Sequence, residues 1–271
     1  MKFSRVGVIG AAIVAVGAVS FSASNSFAES ANPATTKPTI VLVHDAFADA
    51  SSWNGVIERL QAKGYPVVAP ANPLRGLPND SAYIESVLKT IKGPVVLVGH
   101  SYGGEVITNA ASQDAEVKAL VYVAGIAPVK GESMNMILGK FAGSELPESS
   151  NSLSVNAGGS SGIDLYVKPD KFRQALAADV PERTAAVMAA SQRPINAIGL
   201  ADKSEHAAWQ KIPSWYLVAK NDQAIPPAAQ RFMAKRAKAH ITEVESSHVV
   251  PVSQPAKVAN LIIEAAKSVV K

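Results

Sequence analysis

The stretch "VVLVGHSYGGEVITNAA", residues 95–111, constrains the fold more than any other part of the chain. It runs a continuous apolar segment into Gly99-His100-Ser101-Tyr102-Gly103, a G-x-S-x-G pattern, and then into residues with helical spacing. The glycines let the chain turn this sharply from strand into helix. The turn lifts the Ser101 hydroxyl above the end of a sheet. The helix start behind it presents unpaired N–H groups and positive dipole character where negative charge would develop. Ser101 is therefore the candidate nucleophile, set against the plainer reading of a turn serine.

Similar apolar runs recur at 39–44, 66–70, 118–125, 214–220 and 240–245. Their apolar content is largely continuous rather than alternating, which suggests strands buried on both faces, as in a parallel sheet. Segments with helical spacing lie between them, at 52–63, 80–91, 102–112, 227–238 and 254–270. Alternation of this kind predicts an α/β fold, a mostly parallel central sheet with helices on both faces. Residues 129–211 break the rhythm: 143–162 reads as loop, followed by two helices near 169–178 and 182–191. An insertion this long between strands reads as a cap or lid over a binding site.

A serine hydroxyl is a weak nucleophile until a base takes its proton. Of the five histidines, His44 and His100 sit in strand-end turns and read as structural hydrogen-bonders, while His206 and His240 read as surface residues. His248 follows the last predicted strand and opens the loop before the final helix, which hangs it over the strand ends. The imidazolium needs an orienting anion that lies between serine and histidine in the chain. Asp222, just past the strand at 214–220, fits that place. Asp164, Asp170, Asp179 and Asp202 lack a preceding strand, and Glu243 and Glu245 lie within one.

The first 28 residues carry Lys2 and Arg5, an apolar run from Val6 to Val19, and small residues ending at Ala28. That pattern predicts a secretory signal peptide, because the run is short of the roughly 20 residues that span a bilayer. The expected organisation is a signal peptide at 1–28, a flexible leader at 29–37 and one domain at 38–271, exported to the periplasm or beyond with no stable membrane anchor. Cleavage would lower the net charge from +4 to +2, too weak a bias to argue for nucleic acid. The chain has no cysteine, so thiol chemistry and disulfides are excluded. No H-E-x-x-H or G-x-x-x-x-G-K-[ST] spacing occurs, so neither a metal nor a cofactor is expected. Oligomeric state is open.

With Ser101, Asp222 and His248 in that order, the sequence resembles the alpha/beta-hydrolase superfamily. The closer likeness is to small bacterial esterase-like hydrolases and to the plant methylesterase and hydroxynitrile lyase branch. It rests on "VLVH.A....SW" near the start, "VVLVGHSYGG", "LVYVAGIAP", the Asp222 to Ile225 segment and "SHVVPVSQP". The resemblance implies an acyl-enzyme route on small or medium carboxylic esters or lactones. It also places the oxyanion-hole N–H groups at Tyr102 and at Ala46, with Phe47 as the alternative to Ala46. Lyases of that branch carry lysine after the histidine where this chain has Val249, which favours ester hydrolysis over the lyase reaction. Perhydrolase chemistry uses the same triad and stays open.

Most relatives have glycine where this chain has Asp45. Three readings compete at that position. Aspartate tolerates turns and positive φ, so its carboxylate can bond its own loop; it can contact a substrate hydroxyl or cation; or it can oppose a developing oxyanion, leaving a slow enzyme or a ligand-binding relative. Asp45, Phe47, Tyr102, Ile126, Ile225 and Val249 are the candidate walls of the substrate pocket, a setting for apolar side chains with a few polar groups.

Overall fold

In the computed structural model, which describes residues 37–157 and 160–269, the apolar runs become six parallel strands of one sheet. These are β1 (Thr39–Val43), β2 (Val67–Val68), β3 (Val95–His100), β4 (Val117–Val123), β8 (Ser214–Ala219) and β9 (His240–Val244), in the spatial order β2-β1-β3-β4-β8-β9. Three further strands, β5 (Ser150–Ala157), β6 (Ser160–Val167) and β7 (Ile195–Asn196), form a separate antiparallel sheet inside the 129–211 insertion. The expected signal peptide and nearly all of the expected leader lie outside the described residues. Among the described residues, no helix is long and apolar enough to cross a membrane.

Every residue of β3 and β8 is buried, and β1 is buried from Ile40 to Val43. This is why their apolar runs are unbroken. Alternate residues serve opposite faces: Ile40 and Leu42 join Trp53, Leu60, Val258 and Ile262 on one side, while Val41 and Val43 join Tyr102, Val106 and Tyr122 on the other. Helices Asn54–Ala62 and Pro255–Val269 cover the first face, and Leu77–Leu88, Tyr102–Ala110 and Pro227–Arg236 supply the second. Each Val, Leu or Ile so buried contributes about 1.5–3 kcal/mol of transfer free energy, enough to hold the fold without a disulfide.

The insertion departs from expectation in one place. Residues 150–157 and 160–167 pair as an antiparallel hairpin, with Ser150 opposite Val167 and Val155 opposite Gly162, where the sequence reads as loop. The segment is rich in Ser, Asn and Gly, and its apolar Leu153 and Ile163 are about half exposed. Backbone pairing rather than core burial holds it, and apolar periodicity carries no signal for that. The two expected helices form as Pro169–Leu176 and Glu182–Ser191. A third, Met134–Lys140, starts at Ser133, whose hydroxyl accepts from Met136 N–H at 3.3 Å. At the foot of the insertion Glu132 is paired with Arg236 and Lys140, each at 2.7 Å.

Candidate active site

Ser101 sits between β3 and the helix Tyr102–Ala110 with φ 53° and ψ −121°. A non-glycine residue in that region costs about 1–3 kcal/mol and persists only where its surroundings hold it. Here the Ser101 N–H donates to Val123 O at 3.2 Å, and Ser101 O accepts from Gly104 N–H and Ile126 N–H, both at 2.9 Å. The glycines are required by close approach. A Cβ at Gly99 would lie 2.4 Å from Gly103 O, and one at Gly103 would lie 2.5 Å from Val43 O.

His248 follows β9, and its Nδ1 lies 2.7 Å from Asp222 Oδ2. Asp222 lies just past β8 and folds its other oxygen back on its own turn, accepting from Ala224 N–H at 2.7 Å and Ile225 N–H at 2.9 Å. Gln230 Nε2, on the helix Pro227–Arg236, adds a third donor, to Asp222 Oδ2 at 2.7 Å. Gln230 is itself fixed by Ala219 N–H and Ile225 O. Burial drives the His248 imidazole toward its neutral form, but Asp222 and then Asp45 outweigh it, so its pKa lies above the ordinary 6.5. Among the described residues no hydrogen bond joins Ser101 Oγ to His248. Both nonetheless line one cavity of about 350 Å³.

That cavity is walled below by Ala46, Phe47, Ser101 and His248, and above by the insertion: Met134, Leu138, Leu146, Leu165, Leu176 and Leu200, with Asn135, Asn151 and Ser152 as polar points. Among the described residues, no lysine, arginine, aspartate or glutamate lines it. Ala46 and Tyr102 have N–H groups with no hydrogen-bond partner among the described residues. Ala46 is a wall residue of the cavity, and the Tyr102 donor lies directly after Ser101 at the start of its helix.

The sequence matches the family described as "Alpha/beta hydrolase family" over residues 40–261. The chain belongs to the alpha/beta hydrolase family. It is 28% identical over 253 residues to an alpha/beta hydrolase of Aspergillus novofumigatus, covering 85% of this chain and 97% of that protein. It is 26% identical to methylesterase 1 of Arabidopsis thaliana, over 73% of this chain and 83% of the relative. Among solved structures, polyneuridine aldehyde esterase superposes with a TM-score of 0.74 at 18% identity, covering 84% of this chain and 98% of the other.

For this alpha/beta hydrolase, four of the expected pocket residues need correction. Tyr102, Ile126, Ile225 and Val249 do not line the cavity; they are buried in the main apolar cluster at 0–3% exposure. They stand directly beside Ser101, Gly125, Ala224 and His248, and turns that tight send neighbouring side chains into the core. The Tyr102 hydroxyl faces inward as well, donating to Asp80 Oδ2 at 2.8 Å. Phe47 does line the cavity, and it carries the loop's positive φ, 64°.

Asp45 keeps one part of the first reading, a carboxylate that turns away from the cavity, and departs from the rest of it. It is not at positive φ, its carboxylate takes no N–H from its own loop among the described residues, and it does not line the cavity. Its Oδ1 lies 3.2 Å from His100 Nδ1, both side chains being buried. Burial pushes the Asp45 carboxyl up, yet His100 first, then His248 and His44, outweigh it and hold it below the ordinary carboxylate value. His44 acts as a structural hydrogen-bonder: Nδ1 lies 2.8 Å from Asp45 O while Nε2 accepts from Asn72 N–H at 3.0 Å. That pattern requires the neutral ring, and burial lowers its pKa accordingly. Sequence reasoning missed Gln230 as the support of Asp222. A glutamine eight residues downstream, on the next helix, carries no motif that would have flagged it.

Proposed function

We propose that this hydrolase cleaves small or medium neutral carboxylic esters through an acyl-enzyme formed on Ser101. The observation that carries the reading is the shared cavity: a strained serine and a histidine paired to a buried carboxylate open onto one largely apolar space with no charged side chain on its wall among the described residues. His248 Nε2 takes the Ser101 proton as Oγ attacks the carbonyl carbon. The Asp222 carboxylate, held by three donors, keeps the proton of His248 on Nδ1 and stabilises the imidazolium. The tetrahedral oxygen takes hydrogen bonds from Ala46 N–H and Tyr102 N–H. Collapse expels the alcohol, which takes the proton from His248, and water then releases the acid by the same steps.

The cavity volume of about 350 Å³ falls at the small end of ligand pockets. Its leucine and methionine walls suit an apolar acyl or alcohol group, and Asn135, Asn151 and Ser152 offer hydrogen bonds at the insertion side. Names of relatives such as methylesterase 1 and polyneuridine aldehyde esterase support ester bonds as the substrate class. The test is p-nitrophenyl acetate hydrolysis and fluorophosphonate labelling, each beside Ser101→Ala. We expect turnover and labelling in the wild type and neither in the variant; equal slow hydrolysis by both proteins would refute the role of Ser101.

Export belongs to the same proposal. Lys2, Arg5, the apolar run and Ala28 support it, and a secreted or periplasmic product beginning at Glu29 would be its signature on N-terminal sequencing. A product retaining Met1 would count against it.

A further inference from the structure

Beside the triad, and sharing His248 with it, lies a second buried constellation whose other two members, Asp45 and His100, touch no reacting atom in ester hydrolysis. One side-chain ligand atom each from Asp45, His100 and His248 falls within 4.8 Å of the other two, and all three residues are buried. His100 Nε2 lies 2.8 Å from His248 O, a carbonyl that can only accept, so the His100 proton is on Nε2. In the neutral ring its Nδ1 then presents a lone pair, 3.2 Å from the carboxylate oxygen of Asp45. Neither Asp45 Oδ1 nor His100 Nδ1 has a hydrogen-bond partner among the described residues, and neither reaches solvent. Two buried lone pairs at that distance repel unless a cation lies between them.

A proton can occupy the gap, but the surroundings are those of a metal site. Zinc bonds to nitrogen and oxygen of about 2.0–2.2 Å place tetrahedral ligand atoms roughly 3.3 Å apart, which the Asp45 and His100 atoms already satisfy. His248 Nδ1 is engaged by Asp222, leaving Nε2 as a third donor. Ligating histidines usually hand their other ring N–H to a carboxylate or a backbone carbonyl. Both histidines do so here, His248 to Asp222 and His100 to the His248 carbonyl. Two imidazoles and one carboxylate form a donor set that zinc favours, and of the three residues His248 also lines the cavity.

We propose that Asp45, His100 and His248 bind one zinc-class divalent cation, and that binding switches the enzyme off by occupying His248 Nε2. The binding stands on the three residues alone; the inhibition rests on the esterase reading. The fold separates the ligands by 55 and 148 residues of chain, so no sequence spacing advertises the set.

The experiment uses tag-free Ser101→Ala protein, which keeps all three ligands, titrated with Zn²⁺ by calorimetry and with Co²⁺ by visible absorption. We expect one metal per chain and the intense d–d bands of a tetrahedral nitrogen and oxygen site. Asp45→Asn and His100→Gln, each checked for wild-type melting, should weaken binding at least about tenfold. In active enzyme the Zn²⁺ concentration that halves ester turnover should match the calorimetric Kd, with EDTA restoring the rate. No stoichiometric binding, or binding unchanged in a folded Asp45→Asn or His100→Gln variant, overturns the site. Binding without inhibition overturns the switch and leaves the site standing.

Discussion

Replacing Gly103 by alanine tests whether the close approach of the Ser101 helix to β1 sets the spacing of the oxyanion donors. A Cβ there would meet Val43 O at 2.5 Å and His44 O at 2.8 Å, both backbone atoms with no free rotation. Ordinary contact begins at 3.4 Å, so helix and strand must part by about 0.9 Å. Tyr102 N–H moves with one side of that gap and Ala46 N–H with the other. A misplacement of about 1 Å costs on the order of 100-fold in rate. Overpacking of this kind costs about 1–3 kcal/mol of stability, each kcal/mol lowering Tm by roughly 2–4 °C in a domain of this size. We expect kcat on p-nitrophenyl acetate to fall about 100-fold, with a smaller change in KM and a lower melting temperature by circular dichroism. Gly139→Ala is the control: nothing lies within 4 Å of its added Cβ, and it sits inside the helix Met134–Lys140. It should gain about 0.5–1 kcal/mol without loss of rate. Wild-type kcat in a folded Gly103→Ala protein would refute the argument that this contact spaces the donors.

Gln230→Leu removes one of the three donors to Asp222; a loss of about 1–3 kcal/mol predicts kcat reduced roughly tenfold to a hundredfold, read by steady-state kinetics on protein with unchanged melting. The acid limb of kcat/KM follows from the raised His248 pKa: the base must be neutral, so activity is lost as pH falls through a midpoint above 6.5, and a rate held constant down to pH 5 would exclude His248 as base. Glu105 is fully buried with both oxygens unpartnered among the described residues, and burial, then Asp202 and Glu132, push its pKa well above 4.5. A carboxyl raised in the folded state makes stability fall as pH climbs from the unfolded value toward the folded one, by up to about 1.4 kcal/mol per pH unit. Thermal melts of Glu105→Gln should therefore diverge upward from wild type as pH rises from 5 to 8, and parallel curves would contradict the assignment.

The central sheet was legible because both faces of its strands are covered. Burial on two sides demands unbroken apolar runs, and those runs match β1, β3, β4 and β8 to within a residue or two. The hairpin of β5 and β6 was hidden for the opposite reason. Its residues meet solvent and the cavity more than the core, so Ser150, Asn151 and Ser152 read as loop. The same difference explains the pocket. Its walls come from 134–200 as well as from the elbow, and only a three-dimensional fold brings Leu146, Leu165 and Leu200 over Ser101.

At the site, whatever was tied to a backbone motif could be read, and whatever depends on side-chain direction could not. Ser101, His248 and Asp222 each follow a strand, so chain order and strand ends suffice to place them together. Asp45 also follows a strand, yet its neighbours Ala46 and Phe47 reach the cavity while its carboxylate turns away from it. The direction is set by His100, which β3 delivers alongside β1 through the register of Val43 with Gly99. His100 is itself fixed by the His248 carbonyl and packs edge-on against Trp53, ring centroids 6.1 Å apart. A glycine at position 45 would leave His100 Nδ1 facing no carboxylate. The aspartate thus adds negative charge beside His248 without placing it on the cavity wall, which favours the protonated imidazole. On that account Asp45→Gly should shift the acid limb of kcat/KM to lower pH. A rise in turnover with the limb unmoved would mean that the carboxylate acts on the oxyanion after all.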